Sequence, residues 1–204
     1  MNILILNSHS HSYSELASLT TPNHLTYCRH HNYEYLMRFI PTTQSEGIYG
    51  NVDFRALLLL LPHYNFIMTI GTDTLFMNHP ISLESIFPKS ANQQIATESI
   101  GGSPHNNDIM LWRHSESTSN LIHEILSKRP TVEFYHPFNW QMQLNNLISS
   151  QSKLVETMNV VNEHVMNSYP EHFTNGDLIL HAYNRTYQQK INCIKKFLPL
   201  VKLT

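Results

Sequence analysis

Asp73 follows closely on the apolar run Phe66 to Ile70 and is flanked by the small polar side chains of Thr72 and Thr74. An acid at the C-terminal end of a buried strand stands where open α/β sheets bind ligands. A carboxylate fixed there can hold a divalent cation, and such a cation stabilises the negative charge that develops on a departing diphosphate. An aspartate that merely closes a turn has the same local sequence, so spacing alone leaves both readings open. Fourteen histidines offer further metal ligands, among them His9, His11 and the adjacent His30 and His31. No HExxH occurs and no His or Cys cluster has zinc-finger spacing, so most of these histidines are expected on the surface or in loops. Neither GxGxxG nor GxxxxGK[ST] is present, which excludes the Rossmann and P-loop phosphate cradles.

Holding such groups in place requires a framework of strands and helices. Asn2 to Leu6 reads as a buried first strand, and Asn7 to Ser14 as the loop where a ligand can meet its C-terminal end. Leu16, Leu19, His24, Leu25, Tyr27 and Cys28 follow at helical spacing, with Pro22 expected to begin a new helical segment. Tyr33, Tyr35, Met37 and Phe39 alternate with Glu34, Leu36 and Arg38 as a second strand, which Pro41 ends. After a polar loop with Gly47 and Gly50, Asp53 caps a helix that runs to Leu61 and stops at Pro62. Phe66 to Ile70 is the strand leading to Asp73. Ile109 to Trp112 reads as another strand, and Ser115 to Leu126 as an amphipathic helix resting on Leu121, Ile122, Ile125 and Leu126. Pro137 to Ile148 is expected to be helical and Leu178 to His181 a last strand. A helix from Tyr183 to Phe197 places Tyr187, Ile191, Ile194 and Phe197 on one face. This alternation predicts an α/β architecture with a mixed central sheet flanked by helices.

Composition narrows the field further. The chain has 204 residues, 41% of them hydrophobic, and no repeat or low-complexity tract, so one domain over residues 1–204 is expected. Thirteen basic and fifteen acidic side chains give a formal charge of -2, without the basic excess that a nucleic-acid partner requires. The longest aliphatic run, Ala56 to Leu61, falls far short of the roughly 20 apolar residues of a membrane span. The first residues, Met1 to Leu6, lack a basic n-region and do not read as a secretory signal. Cys28 and Cys193 belong to no CxxC pair and are expected as buried thiols in a reducing compartment.

Several segments, taken in order, resemble one family. Asn23-His24-Leu25-Thr26-Tyr27-Cys28-Arg29-His30-His31-Asn32-Tyr33 is similar to a segment in which a Tyr-Ala pair precedes a His-Gly-Tyr turn. Phe66 to Asn78 resembles a buried strand followed by a DxD metal motif and Leu-x-x-Asn. Pro104 to Arg113 resembles an Asn-Ser-Gly-x-x-Leu-x-Arg segment, Gln141-Met142-Gln143-Leu144-Asn145 a helix carrying an Asp-Gln pair, and Gly176 to His181 a Gly-Asp-x-x-x-His strand. Together they resemble the GT-A fold glycosyltransferases, and among these the fungal and plant galactosyl-, mannosyl- and xylosyltransferases with their viral, capsid-glycosylating relatives. The resemblance covers most of the chain. It implies a GT-A fold, a nucleotide-sugar donor (a UDP-sugar), and Mn²⁺ or Mg²⁺ bound by Asp73 and His181. An imidazole ligand favours Mn²⁺ of the two.

The departures from that pattern bear on chemistry. Gly71 replaces the first acid of DxD, and Trp140 precedes Gln141 where the family has an acid, which leaves retention or inversion open. Asp108 stands where the family often has Gly. A carboxylate there serves either as general base on the acceptor hydroxyl or as a turn residue that starts the strand. Asn106, able to donate and accept, is a sugar-hydroxyl contact or an ordinary loop residue. Asp108, Asn106 and Gln141 are thus the catalytic candidates. Asn7, Ser8 and Tyr13 after the first strand are assigned to the nucleoside, with the tyrosine stacking on the base, and Arg55 to a phosphate. Trp112 and Trp140 either stack on sugar or pack in the core.

The reading that results is a metal-assisted glycosyltransferase acting on a glycan or glycoprotein hydroxyl. With no anchor in the sequence, a cytoplasmic enzyme of viral or bacterial type, in the host cytoplasm if viral, or the catalytic domain of a longer chain is expected. The rival is a non-catalytic sugar-nucleotide or glycan-binding module, which Gly71 favours. A histidine-rich metal-binding protein of another fold leaves the ordered motifs without a reason.

Overall fold

The computed structural model describes residues 1–40, 48–49, 52–87, 94–97, 106–127, 139–150 and 158–204, with side chains except at 48–49, 94–97, 107, 139–143 and 148. In chain order the elements are β1 (Ile3–His9), α1 (Ser14–His31), β2 (Glu34–Phe39), β3 (Ile48–Tyr49), β4 (Val52–Asp53), α2 (Phe54–Leu60), β5 (Phe66–Ile70) and β6 (Thr74–Phe76). They continue as β7 (Gln94–Thr97), β8 (Asn106–Arg113), α3 (Glu116–Ser127), α4 (Asn139–Ser150), β9 (Met158–Val161), α5 (Glu163–Met166), β10 (Ile179–His181) and α6 (Tyr187–Phe197).

Six strands form the central sheet in the order β2-β1-β5-β8-β7-β9. The pairs β1–β2, β1–β5 and β7–β9 are parallel, whereas β8 is antiparallel to both β5 and β7. This reversal brings the first residues of β8 to the edge of the sheet where β5 ends. The central strands β1 and β5 are buried on both faces, as crossover helices require, whereas the edge strand β2 is largely exposed. Period-2 alternation sends Leu4, Leu6 and Ile67 to one face, against Phe54, Leu57, Leu121 and Leu144 from the helices. Ile3, Ile5, Phe66 and Met68 go to the other face, against Tyr27 and Cys28 of α1. A third cluster packs Ile191, Ile194 and Phe197 of α6 on Leu75, Met77 and Leu180. The α/β class, the mixed sheet and its flanking helices are those anticipated.

Several boundaries differ from expectation. The first strand runs on to His9, because β1 lies between β2 and β5 and its backbone pairs with both. Pro22 sits inside one continuous α1 rather than starting a new segment. Ser18, four residues earlier, and Pro22 are both exposed, so water can take the carbonyl that proline leaves without a donor. The last helix starts at Tyr187, not Tyr183: Asn184 takes a left-handed φ of 54°, and Thr186 with Gln189 forms a capping box. Asp53 caps α2 by accepting from the Ala56 N–H at 3.0 Å, as the sequence indicated. Trp112 is core: it is fully buried, and its indole N–H donates to Thr69 Oγ1 at 3.0 Å. Cys28 and Cys193 are buried and free, and burial pushes the Cys28 thiol up to about 12. The Gly47 and Gly50 loop, Pro104 and Pro137 lie outside the described residues.

Candidate active site

The segment that carries Asp73 is clamped from two sides. From α1, Thr20 donates to the Thr72 carbonyl at 2.9 Å, and His24 Nε2 lies 3.0 Å from the Thr74 carbonyl. Asn23 makes a reciprocal pair with the Phe76 backbone at 2.9 and 2.8 Å. From the other side β10 pairs antiparallel with β6, setting His181 opposite Thr74, and the Ala182 N–H donates to the Asp73 carbonyl at 2.9 Å. Residues 108 positions apart along the chain thus become neighbours.

His181 is held as firmly. Asn167 donates from Nδ2 to Tyr169 Oη at 3.2 Å, so its Oδ1 is left to accept from Nδ1–H of the imidazole at 2.8 Å. With Asn167 turned so that its Oδ1 accepts from Nδ1–H, Nε2 keeps a lone pair on the side of Asp73. Asp177 fastens the approach to β10. Its carboxylate accepts from Ser168 Oγ at 2.6 Å, from the Thr174 N–H at 2.8 Å and from Thr174 Oγ1 at 2.6 Å, and pairs with His164 at 3.0 Å. Burial alone would raise the Asp177 carboxyl, but these partners hold it below the usual carboxylate range.

Asp73 and His181 converge. Nε2 of His181 lies 3.3 Å from Asp73 Oδ1, and both side chains are buried. Neither of these two atoms has a hydrogen-bond partner. The other oxygen, Oδ2, accepts from the Lys190 ammonium at 2.6 Å. Burial by itself would raise the Asp73 carboxyl, yet His181 and Lys190 together hold it well below the carboxylate range. Burial likewise works to lower Lys190, and Asp73 reverses that. A lone pair and a carboxylate oxygen facing each other in a buried space are what a cation, or a proton on the imidazole, reconciles. Among the described residues no three His, Cys, Asp or Glu side chains stand close enough together to hold a metal ion, so the candidate protein ligands here are the pair Asp73 and His181.

Asp108 and Asn106 come from the start of β8. Asp108 Oδ2 lies 3.8 Å from His181 Nε2. Its carboxyl is held above its ordinary value first by burial and then by the nearby Asp73, against His181 and Lys190. Asn106 accepts from the N–H groups of Asp108 and Ile109 at 2.9 and 3.3 Å, while its buried Nδ2 has no partner. Gly71 faces the same space. A Cβ there would come within 2.9 Å of Asp73 Oδ1 and 3.7 Å of Asp108 Cβ.

The remaining sequence candidates are distributed around this cluster. Tyr13 meets it, with Lys190 Nζ 5.6 Å from its ring and Tyr187 edge-on at 5.6 Å. Asn7 is buried in β1 and donates to the Ile70 carbonyl at 2.9 Å, tying the two central strands at their C-terminal ends. Ser8 is buried with its Oγ unpartnered. Arg55 is exposed in the first turn of α2, beside Asp53, which caps that helix and pairs with Arg38 at 3.0 Å. Gln141 and Trp140 lie in α4, but their side chains are outside the described residues.

Sequence reasoning missed Lys190, Asn167 and the fastening role of Asp177. For Lys190 a signal existed: it falls on the helical face defined by Tyr187, Ile194 and Phe197, a charge inside an apolar stripe. Tyr169 and Tyr183, whose rings lie 6.4 and 5.6 Å from that of His181, also escaped notice. These two tyrosines line a groove of about 840 Å³ with His172, Arg185 and Lys196.

A sheet with one reversed strand and an acid and a histidine meeting at its edge is the architecture of the GT-A glycosyltransferases. A glycosyltransferase involved in glycosylation of the major capsid of PBCV-1 is similar to this chain with a TM-score of 0.73 at 15% identity, covering 98% of this chain and 100% of its own. The galactosyltransferase LgtC, solved with donor and acceptor sugar analogues, gives 0.51 at 12% identity over 98% of this chain and 95% of its own. A Drosophila β1,4-galactosyltransferase 7 variant, solved with manganese, UDP-Gal and xylobiose, gives 0.52 at 10% identity over 95% and 79%. Residues 2–122 match the galactosyl transferase GMA12/MNN10 family, and the chain belongs to that family. It is a glycosyltransferase. No curated protein matches it in sequence. Among the described residues no helix is long and apolar enough to cross a membrane.

Proposed function

We propose that the protein transfers a sugar from a UDP-sugar to a hydroxyl of a glycan or glycoprotein, with a divalent cation held by Asp73 and His181. The observation that carries the reading is the pair of buried, unpartnered acceptors, Asp73 Oδ1 and His181 Nε2, 3.3 Å apart at the sheet edge. An oxygen and an imidazole nitrogen suit Mn²⁺ better than Mg²⁺. Bound there, the cation would neutralise charge on the leaving diphosphate. Asn167 keeps the His181 lone pair turned inward, and Lys190 adds a fixed positive charge beside the same phosphates. Tyr13, whose ring lies 5.6 Å from Lys190 Nζ, would stack on the nucleobase. The unpartnered Nδ2 of Asn106 is a donor for a sugar hydroxyl, with Gln141 assigned to the same wall from the sequence. The groove beside Tyr169 and Tyr183 suits a sugar chain, since aromatic rings pack on the apolar faces of sugars while their hydroxyls hydrogen-bond. Similarity to a capsid glycosyltransferase favours a protein-linked glycan as acceptor.

The rival, a binding module that has lost turnover, rests on Gly71. Release of UDP from UDP-glucose, UDP-galactose or UDP-xylose with Mn²⁺ and a glycan acceptor separates the two. Turnover supports the transferase; Mn²⁺-dependent UDP binding without release with any donor, acceptor-independent hydrolysis included, supports the binder.

A further inference from the structure

We propose that two copies of this chain pair along β2, antiparallel about Leu36, so that their central sheets join into one. The pairing is independent of the transfer chemistry, since β2 supplies none of the residues placed around Asp73 and His181.

The strand offers an open edge. β2 ends the sheet, and among the described residues it pairs only with β1. Its outer backbone N–H and C=O groups can therefore receive another strand. Proteins commonly blunt such an edge with a bulge or a proline, and β2 has neither: its six residues keep regular register with β1. Tyr35, Met37 and Phe39 alternate onto one face, where Tyr35 joins the cluster packed against Tyr27 and Cys28 of α1. Met37 is nevertheless 41% and Phe39 59% exposed. A groove of about 520 Å³, lined by Ala17, Thr21, Leu25 and Met37, runs between α1 and this strand. A strand laid on the edge buries these apolar side chains.

The order of charges names the occupant as a second copy. A two-fold axis perpendicular to the sheet keeps both α1 helices on one side, and facing residues must then share a face. The axis consequently passes through a residue position and not through the gap between two. Centred on Leu36, Glu34 faces Arg38 of the second copy, Tyr35 faces its Met37, and Leu36 faces itself. Both ends of the pairing thus carry the same unlike charges, an arrangement that favours cross-strand pairing. A centre at Tyr35 or at Met37 instead sets Glu34 or Arg38 opposite Leu36. Within its own chain Glu34 accepts from Tyr64 at 2.7 Å, and Arg38 pairs with Asp53 at 3.0 Å. The Arg38 side chain stays 42% exposed, and a guanidinium has five donors, so a second carboxylate finds a place.

The test is mild copper–phenanthroline oxidation of full-length variants carrying one added cysteine, together with sedimentation velocity of the unoxidised proteins. Cys28 and Cys193 are buried, so the parent gives the background. Facing Cα atoms of an antiparallel pair stand about 4.5–5.5 Å apart, within the span of a disulfide. Position 34 lies about 13 Å from its own copy in this register. Leu36→Cys should therefore link into a dimer, Glu34→Cys alone should not, and Glu34→Cys mixed with Arg38→Cys should link the two variants to each other. Leu36 is partly buried, so if that variant fails to fold, the exposed positions 34 and 38 decide the matter. In sedimentation the parent should be a dimer that dissociates on dilution. Glu34→Arg, which sets like charges opposite at both ends, should raise the dissociation constant about tenfold. A monomeric parent, linking at 34 alone as efficient as at 36, or a dimer indifferent to Glu34→Arg overturns the proposal.

Discussion

Replacing Lys190 by methionine keeps the length of the side chain and removes its charge. The Asp73 carboxylate, 3% exposed at its side chain, then loses the ammonium 2.6 Å from Oδ2 and faces only the imidazole. Removing one partner of a buried ion pair costs about 3–5 kcal/mol, because the remaining charge is stranded. The Lys190 side chain keeps 15% of its exposure, so some solvent reaches the pair and the low end, about 3 kcal/mol, applies. For a chain of this size each kcal/mol moves the midpoint by about 2–4 °C, so Lys190→Met should melt about 6–12 °C below the parent in metal-free buffer. Differential scanning calorimetry with chelator present measures this. Adding Mn²⁺ at 100 times its Kd should return about 2.7 kcal/mol, and the variant should bind the cation at least as tightly as the parent. A variant that melts with the parent in chelator refutes the idea that Lys190 neutralises a buried carboxylate.

Two further changes probe how the site is held. His24 is buried, and burial lowers its pKa from 6.5 to about 4. A histidine whose folded value lies below its unfolded one contributes stability that is complete above about 6.5 and is lost as pH falls toward 4, in total about 3 kcal/mol. Urea denaturation from pH 7 to 4 should show that loss, and His24→Gln should flatten it; an equal slope in both proteins removes His24 from the account. Asp177→Asn turns an acceptor of several hydrogen bonds into a mixed group at a buried position, which should cost about 2–3 kcal/mol. It should weaken Mn²⁺ binding as well, since the strand carrying His181 is fastened there, and a destabilised variant with unchanged Mn²⁺ affinity contradicts that link.

How much of this was legible beforehand depends on whether the signal was local. Phe66 to Ile70 followed by Asp73 is a short apolar run ending in an acid, so Asp73 stood out locally, whereas His181, one histidine among fourteen, was singled out only by the resemblance of Gly176 to His181 to the family's strand. Asp53 as a cap and the stripe on α3 are likewise local patterns. The short strands β6, β7 and β9 were not anticipated, because pairing with strands distant in sequence, not alternation, creates them. Pro22 misled because water at the exposed Ser18 can take the carbonyl that proline leaves without a donor, which lessens the cost of a proline inside a helix. Lys190 was absorbed into a helix read for its apolar face, although its charge in that stripe was visible. Asp108 was noticed, but its orientation toward His181 depends on β8 being the reversed strand, a tertiary fact no residue near it encodes.

The most direct test of the account is isothermal titration of UDP into the parent protein and Asp73→Asn, each with Mn²⁺ and with chelator. The account predicts that Mn²⁺ strengthens UDP binding to the parent and has no effect on the variant. Equal Mn²⁺-dependent affinity in both proteins would contradict it, because the carboxylate facing His181 would then have no part in holding the cation.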